Sequence, residues 1–390
     1  MMVIERLFKK CRTKIEVPVL VALIILPVAF AHPAKADPNA PVGNKSIIPL
    51  SPKDPGAGEL QTPPKNRISV TRNTPNEAVA DSFSAEKSID FIERSVTRWQ
   101  EQHGCVTCHT NGLHLVAGSS VTPDSQVLLD SREFARDYLT AAVNGQSKPS
   151  DQHVAIEGAV ATSCFLAIGE MTTGKELHPK TAAALDYIWT QQSESGAWQD
   201  WLKCHWAPFE VDDHFGVSLA AIALAMTPDA YQQKPETTRA RQRLRNYLTV
   251  NPPTSKHQKA MLLWASRYAS DLVTPDQKQQ WIKELRALQQ SDGGWVLIHL
   301  GDDSWQREDS EPQNQESDGY ATAMVIFALR QAGIPKNNPA IKRGITWLKS
   351  HQRKSGRWFT HSPRRNGQHY ITQAATNMAL LALASCGELP

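Results

Sequence analysis

The sequence predicts an all-α protein whose helical hairpins close into a double-layered ring. Two observations carry this prediction. A turn signature, Gln-x3-Gly-x-Trp, returns at residues 192–198, 289–295 and 352–358. Between these turns, amphipathic stretches alternate with more uniformly apolar, alanine-rich ones. A chain of 390 residues with 41% apolar and 21% charged content is long enough to bury a core of that kind.

In chain order, residues 1–36 come first. Residues 1–14 are basic, 17–30 are apolar but broken by Pro18 and Pro27, and small-x-small sites follow at 29–31 and 34–36. This pattern predicts a secretory signal peptide; an uncleaved N-terminal anchor is the alternative, with an apolar run short of the roughly 20 residues a span needs. No later segment predicts a membrane span. Residues 37–80 hold eight prolines among polar residues, which predicts a disordered linker. The folded part is therefore expected over 81–390, in the periplasm or otherwise exported. Residues 1–36 carry six Lys/Arg against Glu5 and Glu16, so without them the formal charge of +3 becomes −1. A near-neutral chain with no basic stripe excludes nucleic acid as its main partner.

The hairpins follow. Stretches 85–102, 181–192, 275–290 and 338–352 are amphipathic and lead into a turn glycine, where a helix C-terminus favours a left-handed residue. Their apolar partners are 213–225, 318–329 and 372–384, with 154–168 in the same register and 255–270 a weaker copy. The chain thus reads as about five hairpins. Alignment on Ala223-Leu224, Ala328-Leu329 and Ala382-Leu383 brings Asp213, Asp318 and Thr372 together at the helix start, where a short oxygen side chain acts as an N-cap. Trp198, Trp295 and Trp358 read as packing between repeats.

Cys105-Val106-Thr107-Cys108-His109 is the C-x-x-C-H pattern that attaches haem c. Both thiols add to vinyl groups of the porphyrin, and His109 becomes the proximal iron ligand. The alternatives are a disulfide pair or a zinc site, which would need further ligands such as His103 and His114. Gln100 and Gly104 repeat the turn frame, with Val106 in the tryptophan slot. The haem segment, about 100–152, then falls in the first hairpin, with 110–152 an insertion able to cover it; a separate small cytochrome at 81–150 is the alternative. Met171, His114, His153, His205 and His214 are candidates for the opposite axial position.

The Gln-x3-Gly-x-Trp element resembles the QW motif of squalene-hopene cyclases and related prenyltransferase-like α/α toroids, over roughly residues 85–390. The resemblance implies an α/α toroid. Glu210-Val211-Asp212-Asp213 is similar to the D-x-D-D motif of class II terpene cyclases, which implies that Asp212 protonates an alkene, with Glu210 as an acidic neighbour. Here Glu replaces the first Asp, His214 stands where a small hydroxyl residue usually follows, and one toroid replaces two domains.

Cys164 and Cys386, on the first and last apolar stretches, are candidates for a ring-closing disulfide or small buried side chains. Cys204, between Lys203 and His205, is a candidate reactive thiol. Asp302, Asp303, Glu308, Asp309 and Glu311 read as a solvated loop, and His361, His369, Arg364 and Arg365 as a cationic loop facing haem propionates. The leading expectation is an exported monohaem c-type protein. It would exchange electrons with a redox partner protein, or act on a small apolar, isoprenoid-like molecule in the ring. A cyclase-like enzyme using Asp212 as general acid, and a non-catalytic lipid-binding or haem-sensing module, are the alternatives.

Overall fold

Each Gln-x3-Gly-x-Trp segment folds in the same way. Gln192 Nε2 donates to the Gly196 carbonyl (2.9 Å), Gln289 Nε2 to Gly293 (2.8 Å) and Gln352 Nε2 to Gly356 (3.1 Å). Each indole N–H then reaches a carbonyl ten residues back: Trp198 to Ile188 (2.9 Å), Trp295 to Leu285 (2.8 Å) and Trp358 to Leu348 (2.8 Å). The glutamine closes the turn, and the tryptophan staples it to the preceding helix. The three glycines have φ of 93°, 94° and 96°, a region that side chains other than glycine's rarely enter. A Cβ at these positions would also run into the backbone of the next hairpin, at Arg243, Arg343 and Lys87. The turns are therefore joints between neighbouring hairpins, and the last one joins the end of the chain to its beginning.

A computed structural model describes residues 70, 72–145, 156–174, 176–199, 207–209, 211–366 and 370–389, all within the unit Lys53–Pro390. The outer helices are α1 (Ala85–His103), α3 (Gln126–Val143), α5 (Pro179–Gln191), α8 (Pro235–Val250), α10 (Pro275–Ala287) and α12 (Pro339–His351). Their inner partners are α2 (Asn111–Val121), α4 (Ile156–Thr173), α6 (Asp213–Met226), α9 (Lys256–Ala265), α11 (Gly319–Gln331) and α13 (Tyr370–Ser385); α7 (Asp229–Gln232) is a single turn. Each inner helix packs on the next, and α13 packs back on α2, so the ring is closed. The outer helices bury one stripe, as in Thr237, Ala240, Leu244 and Leu248 of α8, whereas α4 is buried continuously from Ala159 to Glu170. The architecture is an α/α toroid, with no strand among the described residues.

Six hairpins form this ring, where the repeats in the sequence indicate about five. The sixth comes from residues 111–143 of the segment read as an insertion, which supply α2 and α3. Gly169 of α4 admits the Leu115 carbonyl of α2, where a Cβ would collide. Cys164 and Cys386 are free thiols, so no disulfide closes the ring. The closing contacts come from elsewhere. Residues 77–80, assigned to the linker by composition, pair with the last turn: Ala80 N–H donates to the Gln352 carbonyl (2.8 Å) and Lys354 N–H to that of Ala78 (3.0 Å). Glu77 pairs with Arg357, whose side chain is 0% exposed. No helix among the described residues is long and apolar enough to cross a membrane.

Candidate functional site

The alternation of outer and inner helices puts the inner-helix starts on one rim of the ring. Asp212 is the N-cap of α6, accepting the His214 N–H at Oδ1 (2.8 Å). The cap is thus Asp212 and not Asp213, because α6 starts one residue earlier than its alignment with α11 implies. Thr372 is not a cap either: α13 begins at Tyr370, and the Thr372 hydroxyl accepts the Thr360 N–H (3.3 Å). The second oxygen of Asp212, Oδ2, accepts from Gln258 Nε2 (2.7 Å). That amide has one available orientation, since its oxygen already takes the Thr254 N–H (2.7 Å) and the Ser255 N–H (3.2 Å) in the capping box of α9.

Asp212 lines a small pocket with His214, Phe215, His257, Met261 and Trp305, which has room for about one water molecule. Burial and the nearby Asp302 carboxylate push the Asp212 carboxyl above its ordinary range. Burial holds both imidazoles neutral, His214 down to about 4 and His257 down to about 3. His257 Nε2 shares a hydrogen bond with Tyr320 OH (2.9 Å), and the two rings stack. Trp305 covers this pair, folded over Gly301, where any Cβ would strike the indole.

A second acid lies at the start of α11. Asp318, 4% exposed, caps the Ala321 N–H (2.9 Å) with Oδ1 and takes the Leu297 N–H (2.5 Å) with Oδ2. Burial pushes its carboxyl up to about 7, against the lowering effect of those N–H donors.

The Cys105–His109 loop connects α1 to α2. Asn111 folds it, accepting the Thr107 N–H (2.9 Å) and donating to the Cys105 carbonyl (2.9 Å). Cys105 is half-buried, Cys108 and His109 are buried, and Trp99 meets the His109 ring edge-on at 5.1 Å. No three metal-ligating side chains converge among the described residues, which is what zinc would require. Thioether attachment and axial ligation act at separate points of a macrocycle and need no such convergence. Trp99 Nε1 and Gln100 Nε2 are buried beside the loop without a partner, donors suited to an anionic group.

A profile of the squalene-hopene cyclase C-terminal domain family matches residues 261–364 and 317–390. Over 121 residues the chain is 28% identical to the squalene-hopene cyclase of Schizosaccharomyces japonicus, a stretch that is 29% of this chain and 17% of that enzyme. The chain thus spans under a fifth of the curated relative it matches. In three dimensions it is similar to a glycosidase variant at a TM-score of 0.53, with 13% identity over 78% of this chain and 97% of that one. It is also similar to ent-copalyl diphosphate synthase from Streptomyces platensis at 0.48, with 12% identity over 71% and 50%. The chain therefore carries squalene-cyclase-like toroid repeats, and the likeness to the glycosidase is one of fold.

Of the residues singled out in the sequence, Glu210, Cys204, His153, His205 and His369 lie outside the described residues. Met171 stands near the far end of α4, on the opposite rim from His109, so it does not face that ring. The acidic and cationic loops are knitted to each other, while Asp303, Glu308 and Glu311 of the acidic loop remain exposed. Arg364, 3% exposed, pairs with Glu308 (2.5 Å), and Arg307 binds Asp309 (2.6 Å) and the Ser362 carbonyl (2.8 Å). Gln258, His257, Trp305 and Tyr320 were not singled out as site residues. Only Gln258 had a local signal, the S-x-x-Q capping box from Ser255.

Proposed function

We propose that the pocket at the start of α6 protonates a carbon–carbon double bond of an apolar, isoprenoid-type chain, with Asp212 as the donor. The observation that carries this reading is the Asp212 carboxyl itself: it lines an aromatic-walled pocket, with its proton affinity raised by burial. A carboxylic acid must stay protonated at working pH to serve as an acid, and desolvation is the means. His214 N–H and Gln258 Nε2 fix the two oxygens, so the acid is held in place before substrate arrives. The faces of Phe215 and Trp305 suit the positive charge that develops on carbon. The similarity of residues 261–390 to the squalene-hopene cyclase C-terminal domain supports the substrate class. The test is incubation of the protein with squalene, comparing wild type with Asp212→Asn; equal turnover in the two removes the reading.

A second reading concerns the first hairpin. The unpartnered donors Trp99 Nε1 and Gln100 Nε2 beside Cys105, Cys108 and His109 support covalent haem c at this loop. Cys105 and Cys108 would hold the macrocycle and His109 the iron. Bound there, haem would supply one-electron transfer or binding of a small ligand. This reading carries export with it and adds a redox partner. Visible spectra of protein exported from a host with c-haem maturation machinery, with and without carbon monoxide, test it. No haem on the wild type, or the same haem on Cys105→Ala/Cys108→Ala, overturns it.

A further inference from the structure

The acid reading leaves one conspicuous group unused. His214 stands two residues after Asp212, its side chain is buried, and it lines the same pocket. Nδ1 lies 3.0 Å from Ser218 Oγ, where it can donate its N–H to the hydroxyl. In the tautomer with Nδ1–H on that hydroxyl, Nε2 carries the lone pair, and it is buried with no hydrogen-bond partner. A buried nitrogen of this kind is costly to fold unless something meets it.

We infer that Asp212 and His214 are a proton donor and a proton acceptor facing one water-sized pocket, so that the site shifts a terminal double bond of an apolar chain and does not drive polycyclisation. The inference rests on the reading of Asp212 as the acid. With room for about one water molecule, the pocket has no space for a folded polyene. In a polycyclisation the cation moves several rings away from the acid before it loses a proton, and a base beside the acid serves no purpose. Here the unpartnered base is the acid's near neighbour. In the step, the alkene π pair forms a C–H bond to the Asp212 proton, which leaves a tertiary cation on the adjoining carbon. The His214 Nε2 lone pair removes a proton from a neighbouring carbon, and that C–H pair becomes the new double bond. Release of the imidazolium proton to solvent and uptake of one solvent proton by the Asp212 carboxylate restore both groups. No atom is gained or lost and nothing is oxidised. Burial keeps His214 neutral at working pH, as an acceptor must be.

The experiment uses the full chain in D2O with squalene and 2-methyl-2-heptene, followed by mass spectrometry and NMR of the products. The expected products are positional alkene isomers of unchanged formula carrying one deuterium. In His214→Gln the isomer falls at least about tenfold and an alcohol from solvent capture of the cation replaces it. Thermal melting checks that the variant folds, and Ser218→Ala, which leaves the pocket lining intact, should lower isomer yield in the same direction. Ring products or an alcohol from the wild type, or an unchanged isomer yield in His214→Gln, overturn the acid–base pair while leaving Asp212 as an acid. Absence of any deuterated product from both probes overturns the acid reading and the pair with it.

Discussion

Asp212 and Asp318 occupy corresponding places: each caps an inner helix on the same rim, and each has its carboxyl pushed upward by burial. They differ in what surrounds them. Asp318 is enclosed by backbone, with N–H groups of Ala321 and Leu297 on its two oxygens and Thr360 beside it. Asp212 gives one oxygen to its own helix and the other to a side chain of the next hairpin, and it borders a pocket. A raised proton affinity therefore does not by itself mark a reactive acid. Of the two, Asp212 borders the pocket, and the more strongly perturbed carboxyl is the enclosed one.

The largest effect that would break this comparison is on turnover. Asp212→Asn should lower product formation about 10²–10⁴-fold, with the fold kept because Asn caps as well as Asp. Asp318→Asn should leave turnover within a few-fold, and a dead Asp318→Asn beside an active Asp212→Asn would reverse the roles.

Stability should show the opposite ranking. Removing a buried carboxyl that serves several backbone donors predicts a loss of about 3 kcal/mol for Asp318→Ala. Asp212→Ala should cost about 1 kcal/mol, the ordinary value of an N-cap. Urea unfolding of both variants measures the difference.

The pH dependence sharpens the contrast further. Asp318 is raised from 3.8 to about 7 in the fold, so the folded state binds the extra proton. Its contribution is present at low pH and is lost as pH rises toward 7, at roughly 1.4 kcal/mol per pH unit. His114 and His214 are lowered from 6.5 to about 4 and His257 to about 3, so their contribution is lost as pH falls below 6.5. Three histidines outweigh one aspartate below 6.5, which puts the optimum set by these groups near that pH. Asp318→Asn should remove the loss on the alkaline side, as read from melting temperature against pH.

The smallest expected effect is that of Gln258→Leu. It removes an N–H that favours the Asp212 carboxylate, so the pH at which activity declines on the alkaline side should move upward. An unchanged pH–rate profile would mean that Gln258 only caps α9.

The turns were legible in the sequence because each is a local device. Gln192, Gln289 and Gln352 each bond a carbonyl four residues on, and the tryptophans bond ten residues back. The first turn shares the spacing and not the mechanism. Gly104 ends α1 at φ 56° with its N–H on the Gln100 carbonyl (3.0 Å), and nothing lies within 4 Å of where its Cβ would be. That turn is no joint of the Gln-Gly-Trp kind. The hairpin built on α2 and α3 escaped notice because neither helix carries the signature. The N-cap was misplaced by one residue, since periodicity fixes the face of a helix better than its first turn.

The sequence by itself determined the helical class, the outer and inner roles of most helices, the rim on which the Cys-x-x-Cys-His and acidic motifs lie, and Asp212 as the acid to examine. All of these follow from spacing along one chain segment. Only the tertiary structure decided that six hairpins close the ring, that Arg357 and Glu77 clasp its ends, and that Gln258, His257, Tyr320 and Trp305 gather around Asp212. Those residues come from hairpins far apart in sequence, and which of them share a pocket depends on how the hairpins pack, a long-range property that local periodicity does not encode.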